Sequence, residues 1–363
     1  MKKCSNKTFA MGPKNKKQIA AVDLFCGTGG LTHGLLKGGI TVLAGYDIAP
    51  NSAYAFEANN NGVQFILKSI EDITPSEISA FFKTDYSLLA GCAPCQPFSQ
   101  LNNGKFVPQG SWGLLYHFSR LVKYIKPTFV TMENVVQLKK HTVYRDFIDT
   151  LRSLNYYINE NTVYCPNYGV PQKRKRLVLL ASQLGEISII PPTHSKAHYK
   201  TVREAIGNLA PLRAGETDQN DPLHSASMVS PLNLERLKHS KPNGTWKDWP
   251  EHLVSPCHKH SKTNNYFNAY GRMAWDEPAP TITTECYGIS HGRFGHPEQN
   301  RALSLREAAL LQSFPQSYKF IPSNSQIRKA AIARMIGNAV PVDLAYAIGR
   351  SFLAHMEKYN VSI

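Results

Sequence analysis

The chain has 363 residues, 42% of them hydrophobic, enough for one large domain with a smaller one beside it. Forty-one Lys and Arg against 26 Asp and Glu leave a net charge of +15, which points to a polyanionic partner, most commonly nucleic acid. Seven scattered cysteines argue against a disulfide framework, no apolar run reaches the roughly 18 residues of a membrane span, and no leader is expected before the first strand, so the expected setting is soluble, reducing and cytoplasmic.

The first 17 residues carry Lys2, Lys3, Lys7, Lys14, Lys16 and Lys17 without an acid and read as a basic flexible arm. Residues 19–25 form a short apolar strand pattern that runs into Cys26-Gly-Thr-Gly-Gly30, and 31–37 are helix-like. A second strand, 41–46, ends at Asp47, a helix follows over 53–59, and a third strand over 63–67 leads to Asp72 and Ile73. The apolar run 86–90 opens into Gly91-Cys-Ala-Pro-Cys-Gln-Pro-Phe-Ser99. Residues 114–125 have helical spacing, 128–132 form a strand ending at Glu133-Asn134, 144–154 are helical, and 177–181 form a strand after the basic run 172–176. Strands alternating with helices predict a doubly wound, mainly parallel α/β sheet. Periodicity fades near Ile189-Ile190-Pro191-Pro192, and the chain is irregular and rich in His, Pro, Asn, Ser and Thr up to about Pro280, which suggests a second, smaller domain. Helical order returns at 304–313 and again from 327 onward.

Three constellations carry chemistry. Glycines between a first strand and a helix, Gly27, Gly29 and Gly30, let a ligand approach the backbone, but a dinucleotide fingerprint needs a third glycine where Thr32 stands. Asp47 is placed to accept from ribose hydroxyls and Asp72 from an adenine amine, so a nucleoside without a pyrophosphate fits, S-adenosylmethionine being one. Cys95 and Glu133 both follow strands whose carboxyl ends line the crevice of such a sheet. A thiolate there can add to an electron-poor ring carbon while a carboxyl protonates the ring nitrogen. Arg174, in Gln172-Lys-Arg-Lys-Arg176, can hold a base oxygen or carboxylate bidentately. Cys92 with Cys95 is a single Cys-x-x-Cys, and the cluster Cys257, His258 and His260 finds no second pair, so no metal is expected.

These residues, in this order, resemble the DNA (cytosine-5)-methyltransferases across nearly the whole chain. The turn Phe25 to Gly29, Asp47, Asp72-Ile73, Pro94-Cys95-Gln96, Glu133-Asn134-Val135 and Gln172-x-Arg174-x-Arg176 match its successive motifs. After the variable region, Arg306-Glu307-Ala308-Ala309, Gln312-x-Phe-Pro315 and Gly337-Asn338-Ala339-Val340-Pro341 do the same. The resemblance implies a catalytic domain over 18–185 plus 326–363 and a target recognition domain over 186–325. It implies attack of Cys95 on cytosine C6, with Glu133 at N3, Arg174 holding the base and Arg176 supporting it. Phe25, Gly27, Thr28, Gly29, Asp47, Ile48, Asp72, Ile73, Pro94 and Asn338 would line an S-adenosylmethionine pocket. Gln96 and Ser99 would belong to a catalytic loop closing on DNA, in which Gly104, Gly110 and Gly113 give freedom to move. Arg272 and Thr281 are the block of recognition residues expected to meet DNA, with Lys262, Asn264, Asn265 and His258 as further base readers.

The implied partner is double-stranded DNA, met by a monomer with no membrane association, and a cognate restriction endonuclease is its functional counterpart. The alternatives are a tRNA cytosine-5 methyltransferase, whose Cys-Phe-Thr element is replaced here by Glu285-Cys286-Tyr287, and a non-catalytic DNA-binding regulator on the same fold.

Overall fold

The computed structural model describes residues 18–83, 86–94, 110–259, 268–323 and 325–360. Its centre is a seven-stranded sheet of order β3-β2-β1-β4-β5-β7-β6, made of β1 (Ile19–Leu24), β2 (Thr41–Asp47), β3 (Gln64–Leu67), β4 (Tyr86–Gly91), β5 (Phe129–Asn134), β6 (Tyr157–Tyr164) and β7 (Lys175–Ser182). β1 to β5 are mutually parallel, and β7 runs antiparallel to both β5 and β6. The mainly parallel, doubly wound architecture read from the sequence is present.

β1 is buried along its whole length because both sheet faces are covered. Side chains alternate across a strand, so Ile19 and Ala21 join one core while Val22 and Leu24 join the other. Helix α1 (Gly30–Lys37) covers the first face. On the way to the second lie the short helices α2 (Ala53–Asn59) and α3 (Pro75–Ser79), and that face is covered by α4 (Gly110–Ile125) and α5 (Thr142–Ser153). Phe118 and Phe147 meet there with ring centroids 5.3 Å apart.

β6 has no counterpart among the strands expected from the sequence. Its centre reads Asn159-Glu160-Asn161-Thr162, and its side chains are exposed or half-buried except Val163, so an edge strand pairing only with β7 gives little apolar periodicity.

Beyond β7, the described chain holds α6 (Val202–Ile206), α7 (Pro231–His239), α8 (Pro256–Lys259) and α9 (Leu305–Leu311), joined by long irregular segments and isolated bridges. Val202, Leu303, Leu311, Phe314 and Tyr318 share a third core with Ile332 and Ile336 of α10 (Lys329–Asn338). The chain then returns to the first face through α11 (Val342–Asn360), whose Leu344, Ile348 and Phe352 pack on α1. Lys329–Tyr359 is apolar enough to span a membrane by composition, a length not expected from the sequence, yet most of its apolar stretch is buried inside this fold.

Candidate active site

The order β3-β2-β1-β4-β5 reverses direction between β1 and β4, and ligands of such sheets bind in the crevice beyond the carboxyl ends of strands flanking that point. Five strand ends meet there. Because β7 is antiparallel to β5, with Glu133 opposite Val178 and Asn134 opposite Leu177, its start rather than its end lies at the crevice. That single reversal brings Arg174 and Arg176 to the same rim as Glu133.

The turn after β1 is built from left-handed residues. Phe25 has φ 59°, Gly27 φ 50° and Gly29 φ 93°, and only the glycines adopt this region without strain. A Cβ on Gly29 would lie 2.6 Å from Asn60 Nδ2, whereas one on Gly27 would meet nothing within 4 Å. The turn is therefore packed behind Gly29 and open in front of Gly27. Asp47 Oδ2 accepts from the Gly27 amide at 2.8 Å and Oδ1 from Ala49 at 2.8 Å, so this carboxylate holds the turn while each oxygen keeps a second lone pair. Beside it, Ile48 is 70% exposed, an apolar side chain offered to the crevice. Thr28 is buried, and its carbonyl accepts from the Tyr318 hydroxyl at 2.6 Å. Asp72 is exposed, but the Ile73 side chain lies in the core, which leaves only the Ile73 backbone to address a ligand. Arg120 of α4 holds this turn by donating to the carbonyls of Ile70 at 3.0 Å and Ile73 at 2.9 Å, a role that no sequence pattern signals.

Glu133, 3% exposed at the end of β5, is gripped on both oxygens. The Cys92 thiol donates to Oε2 at 3.1 Å, and Arg176 Nε stands 3.0 Å from Oε1. The Arg176 contact is a charge pair off the hydrogen-bond direction, so Oε1 stays buried with no hydrogen-bond partner. Cys92, to which the sequence pattern assigns no role, is thus the thiol that positions the carboxylate. Asn134 Nδ2 donates to the Ala93 carbonyl at 3.0 Å and ties the strand end to exposed Pro94, directly before Cys95.

Arg174 is 3% exposed. It donates through Nη1 to the Ile282 carbonyl at 3.1 Å and through Nη2 to the Gly337 carbonyl at 3.3 Å, while its Nε is buried without a partner. Burial, with repulsion from Arg176 second, pulls its pKa down to about 10, so it remains a cation at neutral pH. Gln172, wholly buried, organises the surroundings. Its Oε1 accepts from the Ile282 amide at 2.8 Å, and its Nε2 donates to Gln312 Oε1 at 2.9 Å. Thr281 Oγ1 donates to the Lys173 carbonyl at 2.9 Å. Gly337 permits this closure, since a Cβ there would lie 2.5 Å from the Thr284 amide nitrogen. Asn338, next in line, is exposed at the end of α10.

The family model for C-5 cytosine-specific DNA methylase matches residues 19–354. The chain belongs to that family. The methylase is 48% identical over 342 residues to the Type II methylase M.HgiDII of Herpetosiphon aurantiacus, covering 93% of this chain and 96% of that one. It is 30% identical to the Type II methyltransferase M1.HphI of Haemophilus parahaemolyticus, covering 92% and 87%. The solved structure of the methyltransferase EhMeth of Entamoeba histolytica superposes with a TM-score of 0.68 at 16% identity, over 94% and 99% of the two chains, which shows a shared fold. The enzyme is a DNA (cytosine-5)-methyltransferase, and the tRNA and non-catalytic readings are not favoured.

Two expected base readers of the methylase are placed elsewhere. Arg272 is 4% exposed and donates to the carbonyls of Leu237, Ser240, His296 and Gln299 and to Asn300 Oδ1 at 2.6–3.1 Å. Its fork is used up inside the protein and cannot reach a base edge. His258 is buried with its ring stacked on Trp246 at 4.7 Å. Cys95, Gln96, Ser99, Gly104, Lys262, Asn264 and Asn265 lie outside the described residues.

Proposed function

We propose that the methylase moves a methyl group from S-adenosylmethionine to C5 of a flipped-out cytosine in a specific duplex sequence, through a Cys95–C6 adduct. The observation that carries this reading is the crevice rim, where a buried carboxylate held by Cys92 and Arg176 faces the same side as a buried arginine with an unused Nε. Among the described residues no group of three His, Cys, Asp or Glu side chains could hold a metal ion.

The turn after β1 fits the cofactor, because it is open in front of Gly27 and rimmed by Asp47 and an exposed Ile48. Bound there, S-adenosylmethionine supplies an electrophilic methyl group. Phe25, Gly27, Thr28 and Gly29 would hold it against β1, and Asp47, with a lone pair left on each oxygen, would accept from its ribose. Ile48 would cover its adenine, Asp72 and the Ile73 backbone would meet the adenine edge, and Pro94 and Asn338 would close the methionine end.

A stacked cytosine hides C6, so the base must leave the helix at a cost of roughly a few kcal/mol, which the excess of positive charge offsets by phosphate contacts. In the pocket, the Cys95 thiolate forms a bond to C6, and the C5–C6 double bond gives up its electrons toward N3. Glu133 stabilises N3 with a proton, Arg176 fixes the Glu133 carboxyl, and Arg174 helps to hold the base. After C5 takes the methyl group, loss of its proton restores the double bond as the Cys95 sulfur leaves. Gln96 and Ser99 would follow Cys95 onto the DNA, and Thr281 would meet the substrate at the seam with Lys173.

We assign catalysis to 18–185 plus 326–363 and recognition to 186–325, after a basic arm over 1–17. The Type II names of its relatives support a modification enzyme, and we propose that it works as a cytoplasmic monomer opposite a cognate restriction endonuclease. The test is duplex DNA carrying 5-fluorocytosine at the target, which blocks proton loss. Wild type with cofactor should form a denaturation-resistant adduct and Cys95→Ser none. Methyl transfer to tRNA alone would refute the assignment.

A further inference from the structure

The region 186–325 has seven arginines, and five of them, Arg272 included, are committed within the protein. Arg203 pairs with Asp276, Arg301 with Glu307 and Arg306 with Asp221, while Arg236 and Arg272 hold backbone carbonyls and side chains of the region; Arg213 is 90% exposed and only stands 3.9 Å from Glu216. Arg293 has no acceptor among the described residues, and its Nε is buried without a hydrogen-bond partner. The residue as a whole is half-buried with its Nε enclosed, so a partner from outside the protein meets the terminal nitrogens of its guanidinium.

Its position is built rather than loose. The Arg293 stem crosses Gly271, where a Cβ would come within 2.9 Å of Arg293 Cγ, so only glycine admits it. Both segments of that crossing are pinned, Tyr270 N to the Ile289 carbonyl at 2.7 Å and Gly295 N to the Gly271 carbonyl at 3.0 Å. The loop that carries it starts at Thr281–Thr284, the stretch that touches Lys173, Arg174 and Gly337 at the catalytic rim. Between them, Ser290 and His291 are exposed.

We propose that Arg293 reads a guanine of the recognition sequence, its fork donating to O6 and N7 in the major groove. A stem held in place and a planar pair of donors suit a base edge, whereas phosphate contacts are served by mobile, fully exposed cations. The inference rests on the recognition role proposed for 186–325.

The test starts from the wild-type site, found by bisulfite sequencing of DNA from cells expressing the protein. Methyl transfer is then measured on that site and on each single-base-pair variant, for wild type, Arg293→Gln and Arg293→Lys. Loss of Arg293 should cut kcat/KM on the native site about 10- to 100-fold and make the enzyme indifferent to one guanine position, with preference elsewhere and the cofactor KM unchanged. Lysine should not rescue the preference, since it has the charge without the fork. The ratio between sites is independent of the fraction of folded enzyme, so even a destabilised variant decides between the outcomes. A uniform loss at all sites with a shallower salt dependence would make Arg293 a phosphate contact and overturn the proposal, as would an unchanged preference. If wild type methylates no duplex DNA, the functional reading itself falls, a different result from either.

Discussion

The sheet half of the methylase and the region from 186 to 325 are held together by different means. In the sheet, apolar side chains alternate between two cores, backbone groups pair strand to strand, and cations stay at the rim. In the second region regular elements are short, and buried arginines satisfy the carbonyls that a sheet would have paired. Arg272 alone caps four carbonyls drawn from two segments, and Arg301 grips Glu307 while donating to Leu212 and Ala302. A positive surplus in a DNA enzyme is thus partly structural, so counting arginines overstates the surface left for DNA.

The sharpest way to break this contrast is Arg272→Ala. It strands several buried carbonyls at once, and the expected loss is about 3–5 kcal/mol, confined to the second region. Hydrogen exchange should show amides around Leu237, Met273 and Gly295 opening early while those of β1, β4 and β5 keep their protection. Simultaneous opening of both regions would mean that they form one cooperative unit.

That contrast also explains what could be read beforehand. Strands β1, β4, β5 and β7 were legible because strands covered on both faces give continuous apolar runs, and the motif residues sit beside them. β6 was hidden by its polar edge. Glu133, Arg174 and Arg176 were named as a group, but their meeting depends on β7 running antiparallel, and no local pattern announces strand direction. Cys92 was left without a role, and Gln172 was quoted only as a motif residue, because what each does depends on distances to partners far along the chain. Arg272 and His258 were misplaced because residue type indicates what a side chain can bind, not whether it has already bound something.

A second test asks whether the sheet half has its own buried charge problem. Asp23 is fully buried in β1, and burial raises its pKa to about 7 against the opposing hydrogen bond from Thr32. A carboxyl with a raised native pKa holds its proton more tightly when folded. Its contribution to stability is complete below about pH 4 and disappears as pH climbs through 7. Wild type should lose on the order of 2–4 kcal/mol between pH 4 and pH 8 from this group, and Asp23→Asn should flatten that slope. Urea titrations at pH 5 and pH 8 would check it, and equal slopes for the two proteins would show that Asp23 is ionised at little cost.

The smallest effect lies on the seam between the regions. Tyr318 falls on the recognition side of the assigned boundary, yet its hydroxyl donates to the Thr28 carbonyl and its ring meets His33 edge-on at 5.3 Å. Nearby, Asn59 exchanges two hydrogen bonds with the Lys319 backbone. The turn that offers Gly27 to the cofactor is therefore braced from the other region. Tyr318→Phe keeps the ring, its packing on Phe314 and the fold, and deletes one hydrogen bond worth about 1 kcal/mol. If that bond holds the turn in its binding shape, the cofactor KM rises roughly 3- to 10-fold while kcat and the DNA KM stay put. A general loosening would instead lower kcat and raise both KM values together. An unchanged cofactor KM would mean that the two regions touch at this seam without either setting the other's geometry.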